Sequence, residues 1–249
     1  MDQAILISSH DILCNHIVFP KGFSMKKNSL TFAIVVLLIA IISVLGCNKT
    51  NSRMIPKDFD YGTWTGTTYR NDFFGFSITV PEGWHVTGSE DMKAVIQEGQ
   101  NLIEDALDKS EVEKMAKIAD ITTANLFMVA RYTDEQAIEQ EASNPNIVLV
   151  VENLGMLGKQ IDRAKYVSLY RQNVAKAAPG IVFKSETNKT IGGQEFTSLQ
   201  VQFSTQGILI SQEHLICLKN DFSVIFALTT LDDSEKQPLD DIMATLKWD

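Results

Sequence analysis

The run Ile147-Val148-Leu149-Val150-Val151 limits the fold more than any other stretch of this 249-residue chain. Strand side chains point alternately to opposite faces, so an unbroken run of valine, isoleucine and leucine puts apolar surface on both. Such a strand needs cover on two sides and is expected at the centre of a sheet with layers above and below it. Alternating strands stand around it. Phe74-Gly-Phe76-Ser-Ile78-Thr-Val80 sets large apolar residues at every second place, and Leu199-Gln-Val201-Gln-Phe203 does so with one wet face.

The remaining elements are read from period and punctuation. A helical region is predicted over residues 89–119, with Glu90 and Asp91 at its positive end and Ser110-x-x-Glu113 starting a second segment. A strand over 125–132 leads into a polar loop, 134–146, that contains Asn144-Pro145-Asn146. A helix over 162–178 places Val167, Tyr170, Val174 and Ala177 on one stripe and stops at Pro179-Gly180. Strands are predicted over 181–187, 195–203, 208–218 and 222–230, with Asn220-Asp221 as a tight turn. A last helix begins near Pro238 and buries Leu239, Ile242, Met243 and Leu246. Strands bunched late, with helices interspersed without strict alternation, give an α+β class: a mainly antiparallel sheet with helices packed on it.

Ahead of this domain lies a different kind of segment. Lys26 and Lys27 precede an unbroken apolar stretch over residues 32–42, small or apolar residues lead to Cys47, and polar Asn48-Lys49-Thr50 follows. That is the three-part layout of a secretory signal. Its ending, Val44-Leu45-Gly46-Cys47, resembles the lipobox of bacterial lipoproteins. The resemblance implies that the Cys47 thiol takes a diacylglycerol carrying chains such as palmitate, and that the bond between Gly46 and Cys47 is cut. The alternative is an uncleaved amino-terminal helix, since the uncharged run is close to the shortest that spans a bilayer. Either way the domain is expected on the extracytoplasmic face of the bacterial cell membrane. Residues 1–24 precede the signal and do not fit its plan; Met25 is expected as the true initiator. The chain thus divides into a signal peptide over 25–46, a lipidated cysteine with a polar tether over 47–68, and a domain over 69–249.

The stretch Tyr69-Arg-Asn71-Asp-Phe-Phe74-Gly75-Phe76-Ser-Ile78-Thr-Val80-Pro81-Glu-Gly83-Trp84 resembles the opening of the PsbP-like and DcrB-like domains, where an aromatic-rich strand ends in a Pro-x-x-Trp corner. The final strand pair and a short helix ending in Leu246-Lys-Trp248 are similar to that family's close. The resemblance implies an α/β/α sandwich around a central, mainly antiparallel sheet. It also implies a non-enzymatic role, as an extrinsic subunit, an assembly factor or an envelope lipoprotein. Pro81, Gly83 and Trp84 are read as a structural corner: the proline ends the strand, the glycine permits the turn and the tryptophan buries a large ring.

Catalytic chemistry finds little support in the residue pattern. Past the signal only His85 and His214 remain, with no Gly-x-Ser-x-Gly, His-Glu-x-x-His or Cys-x-x-Cys pattern beside them. Cys217, within Leu215-Ile216-Cys217-Leu218, reads as a buried core thiol. Gly155-Met-Leu-Gly158-Lys159-Gln160 is too short for a phosphate loop and reads as a helix entry. Asp232, Asp233, Glu235, Asp240 and Asp241 suit the positive end of the last helix, so no metal or other cofactor is expected. The net charge of −9, which becomes −10 once the first 46 residues are removed, opposes nucleic-acid binding and electrostatic docking to anionic lipid. The expected role is a non-catalytic binding or accessory protein, held to the membrane by its lipid and working with an envelope protein. The alternative is a lipoprotein that captures a small ligand for a transporter.

Overall fold

A computed structural model of the chain describes residues 54–92, 121–178, 180–205 and 207–249. The signal, Gly46, Cys47 and most of the predicted 89–119 helix lie outside the described residues. Eleven strands form two antiparallel sheets among them. The larger has seven strands in the order β4 (His85–Gly88), β5 (Thr123–Ala130), β6 (Asn146–Asn153), β10 (Phe222–Thr230), β9 (Ile208–Lys219), β8 (Gln194–Thr205) and β7 (Val182–Ile191). The smaller runs β1 (Thr63–Thr65), β2 (Thr68–Asn71), β3 (Phe76–Thr79) and β11 (Lys247–Trp248). Three α-helices lie wholly within the described residues: α1 (Asp134–Glu139), α2 (Arg163–Ala177) and α3 (Lys236–Ala244). The chain is therefore α+β, built on an antiparallel sheet.

The doubly apolar run 147–151 lies within β6, paired with β5 on one side and β10 on the other and buried at all eight positions. Its two faces belong to different layers. Ile147, Leu149 and Val151 face a core shared with the small sheet and with Leu239, Ile242, Met243 and Leu246 around α3. That core is aromatic: Tyr69, Phe76, Phe127 and Phe226 are at most 1% exposed, and their rings meet at tilted and edge-to-face angles. On the opposite face, α2 lays Tyr166, Val167, Tyr170 and Val174 over Leu199, Ile216 and Ile225. Asp162 starts α2 by accepting the Lys165 amide at 2.7 Å. Opposite α2, the described residues place α3 together with the four-stranded sheet.

Four local expectations are corrected. Residues 54–68, read as tether, belong to the packed domain. Phe59 is 8% exposed within an aromatic cluster, and the Ile55 amide donates to the Ile121 carbonyl. Gly62 shows how tight this layer is: its φ is +74°, and an added Cβ would lie 2.3 Å from the Tyr69 hydroxyl. The 134–146 loop contains α1, started by a reciprocal Thr133–Gln136 capping box that outweighs its polar composition. The last helix begins at Lys236, not near Pro238, because a 3-10 turn over Asp233–Glu235 feeds directly into it. Finally, Lys247 and Trp248 do not continue that helix; they pair with Ser77 and Phe76 as β11 and close the small sheet.

Candidate functional site

The Pro-x-x-Trp corner joins β3 to β4. Gly83 takes φ +82°, the Trp84 amide donates to the Pro81 carbonyl at 3.4 Å, and the half-buried Trp84 ring packs on the aromatic core. The Arg131 guanidinium lies 5.8 Å from the Trp84 ring centroid, within cation–π range. His85, next in sequence, is exposed on β4. His214 is fully buried on β9, four strands across the sheet, so the fold does not bring the two histidines together. Gly155–Leu157 is a 3-10 turn leading toward α2. Cys217 is buried among apolar side chains, and that burial pushes its thiol up to about 12, far from reactivity at neutral pH. Asp232 and Glu235 cap the 3-10 turn before α3. Among the described residues no three acidic, cysteine or histidine side chains converge to hold a metal.

His214 is committed to a structural network. The Tyr170 hydroxyl stands 2.9 Å from His214 Nδ1, His214 Nε2 stands 3.0 Å from Gln212 Oε1, and Gln212 Nε2 donates to Thr229 Oγ1 at 3.0 Å. An amide oxygen only accepts, so Nε2 carries the proton and Nδ1 accepts from the tyrosine. Burial lowers the imidazole to about 4, which keeps it neutral. A second network lies nearby, where the Tyr166 hydroxyl is 2.8 Å from both Glu152 and Ser223 Oγ. Burial, reinforced by the Glu152 charge, drives the Tyr166 phenol well above its usual range.

The other face holds a polar group that is less completely matched. Glu213, in the middle of β9, is 4% exposed and projects to the side of the sheet covered by the small sheet and α3. Lys189 on β7 pairs with its Oε1, and Ser198 on β8 donates to the same oxygen at 2.5 Å. Oε2 is buried without a hydrogen-bond partner among the described residues. Burial pushes this carboxyl up. Hydrogen bonds from Lys189 and Ser198, with the Lys189 charge and the amide of the cross-strand neighbour Gln200, overcome that and hold it below the ordinary glutamate range.

Glu213 lines a cavity of about 320 Å³ between strands β7–β9 and the start of α3. Lys184, Lys236 and Asp233 bring charges to it, and Gln200, Gln202 and Ser211 bring neutral polar groups. Two cations and two carboxylates line the space, so it presents both signs to one occupant. A buried carboxylate oxygen without a donor is a costly arrangement, and an incoming N–H or O–H group relieves it. The sequence does signal this residue. Gln212-Glu213-His214 interrupts a strand that is otherwise mostly apolar on both faces, and a polar break of that kind in a core strand marks either a network or a site.

No family model matches the chain, and no curated protein matches it in sequence. Among solved structures, the fold is similar to the cyanobacterial PsbP protein CyanoP from Synechocystis, at 12% identity and a TM-score of 0.45, covering 76% of this chain and 98% of that one. It is also similar to LpqN, a protein involved in cell envelope biogenesis of Mycobacterium tuberculosis, at 16% identity and a TM-score of 0.39, covering 69% of this chain and 82% of that one. A third similar structure is the immunity protein TplEi of Pseudomonas aeruginosa, at 8% identity and a TM-score of 0.35, covering 70% of this chain and 96% of that one. Likenesses of this degree carry no argument about what the chain does.

Proposed function

We propose that this chain is an extracytoplasmic lipoprotein, anchored through Cys47, whose domain acts by binding as an accessory or assembly component of the cell envelope. The observation that carries this reading is the segment from Lys26 to Cys47, a charged start, an apolar run and a lipobox-like end, set directly before a folded domain. Supporting it, the buried Tyr166 is engaged by Glu152 and Ser223 and the buried Tyr170 and His214 by one another, as framework groups are. Labelled palmitate should enter the wild-type protein and be absent from a Cys47→Ala form, which should also keep its leader. Equal labelling of the two forms contradicts the anchor. Crosslinking in intact membranes should return the same envelope partner across growth conditions; its consistent absence contradicts the accessory role.

A second reading, capture of a small ligand for a transporter, is favoured by the Glu213 cavity. Its volume is at the small end of ligand pockets, and its mixed charges suit a compact zwitterion or polar amine. Thermal shift with a panel of amino acids and amines should raise the melting temperature with dose in wild type and not in Glu213→Gln. A flat response across the panel removes this reading.

A further inference from the structure

We infer that the end of the domain at which Met54 enters is a membrane-resting surface, held against the lipid bilayer by the anchor at Cys47. The inference rests on the anchor proposed above and adds an orientation to it.

Nine large apolar side chains are more than a third exposed among the described residues. Five of them, Met54, Tyr61, Phe73, Ile121 and Met156, collect at one end of the seven-stranded sheet. That end is where β5 starts, β6 stops and β10 starts, as the pairings Thr123↔Glu152 and Phe222↔Asn153 fix. The five are joined by short contacts. Asn153 Nδ2 donates to the Met54 carbonyl at 2.8 Å, and its Oδ1 accepts the Gly155 amide at 2.8 Å, one residue before Met156. The Ile55 amide donates to the Ile121 carbonyl at 2.9 Å. The Phe59 ring lies 5.2 Å from Tyr61 and 5.6 Å from Phe73, which in turn lies 5.4 Å from Phe222. The other four, Val86, Val182, Leu209 and Leu231, sit at the opposite end and are spread across the width of the sheet from β4 to β7.

Chain length decides which end meets the bilayer. Met54 stands seven residues after Cys47, and a fully extended link of that length reaches about 25 Å. Strands β8 and β9 are 12 residues each, or about 40 Å along the sheet. The link is shorter than the domain, so the end carrying Met54 cannot rise clear of the membrane while the end carrying Leu209 meets it, and the apolar side chains gathered at the Met54 end select that end for the contact. Charged groups around the near end include the cations Lys57, Arg70, Lys159 and Lys219 and the carboxylates Asp58, Asp60, Asp72, Asp221 and Asp249, with Arg70 paired to Asp72 and Asp249. Asp60 is turned inward to accept the amides of Gly62, Asp72 and Phe73. An excess of carboxylates gives no attraction to anionic lipid. The contact is therefore made by apolar side chains entering the interfacial region, and high salt should not weaken it.

The test uses the mature lipidated protein, purified from membranes and reconstituted in phosphatidylcholine vesicles. A polarity-sensitive fluorophore is placed by Met156→Cys, or by Leu209→Cys at the far end, and quenched by lipid carrying a nitroxide near its headgroup. Both sites are exposed, whereas Cys217 is buried and Cys47 is consumed by lipid. Quenching at 156 should exceed that at 209 several-fold, should persist in high salt, and should fall when Tyr61→Glu is added. Equal quenching at the two sites, or its loss in salt, overturns the orientation while vesicle flotation leaves the anchor standing. Failure to float overturns the anchor and the orientation with it.

Discussion

On the α2 face of the large sheet, polar side chains around His214 pass hydrogen bonds along a chain: Tyr170 to His214, His214 to Gln212, Gln212 to Thr229. On the opposite face, beside a polar cavity, one buried carboxylate, Glu213, has a paired oxygen and an unpaired one. The difference teaches where to look for binding. A saturated network fixes a packing arrangement and has nothing left to offer a ligand, whereas a half-satisfied group at the wall of a cavity does. His214 looked more chemical than Glu213 on residue type alone. Its partners reverse that ranking.

Substitutions on the two faces should cost different amounts. The largest effect is expected at Phe226, fully buried and in contact with Phe76 and Phe196: Phe226→Ala should cost about 3–5 kcal/mol in denaturant unfolding. A loss under 1 kcal/mol would mean that the aromatic face is not the main core. Next is a pH effect on the networked face. His214 is lowered from 6.5 to about 4, so the unfolded chain takes up a proton before the folded one. Its contribution is complete above pH 6.5 and is lost as pH falls toward 4, about 3 kcal/mol in all. His214→Gln should flatten the stability profile in that window whatever its absolute stability, and an unchanged slope would show that His214 is not held neutral. Lys189→Met should cost about 2 kcal/mol by stranding the Glu213 charge, less than a fully buried pair because the lysine is 38% exposed. The double form Lys189→Met with Glu213→Gln should recover most of that, and failure to recover would separate the two residues. Tyr170→Phe is the mildest, about 1 kcal/mol for one hydrogen bond and an unpaired Nδ1, and thermal melts should detect it.

Much of the fold was legible because periodicity reports burial directly. The doubly apolar 147–151 run did become a central strand, and Asn220-Asp221 did become a two-residue turn, with φ values of +53° and +64° between Lys219 and Phe222. What was missed depended on partners distant in sequence. Residues 54–68 look polar, but Phe59 finds Phe222, and Tyr69 finds the Tyr61 carbonyl. Trp248 becomes a strand only because Phe76 offers an open edge. The candidate site was hidden for the same reason. The polar break Gln212-Glu213-His214 can be seen in the chain, but the lysine that pairs with one of its members and the tyrosine that pairs with another come from β7 and α2. Only the folded arrangement tells which of the three is left with an open acceptor.

The intact mass of the protein extracted from membranes bears most directly on where this domain works. A polypeptide of residues 47–249 carrying the mass of a diacylglycerol, with or without a third acyl chain, is the predicted result. A species that retains residues 25–46 and carries no lipid would contradict it, and would replace the short lipid tether at Met54 with a membrane-spanning helix.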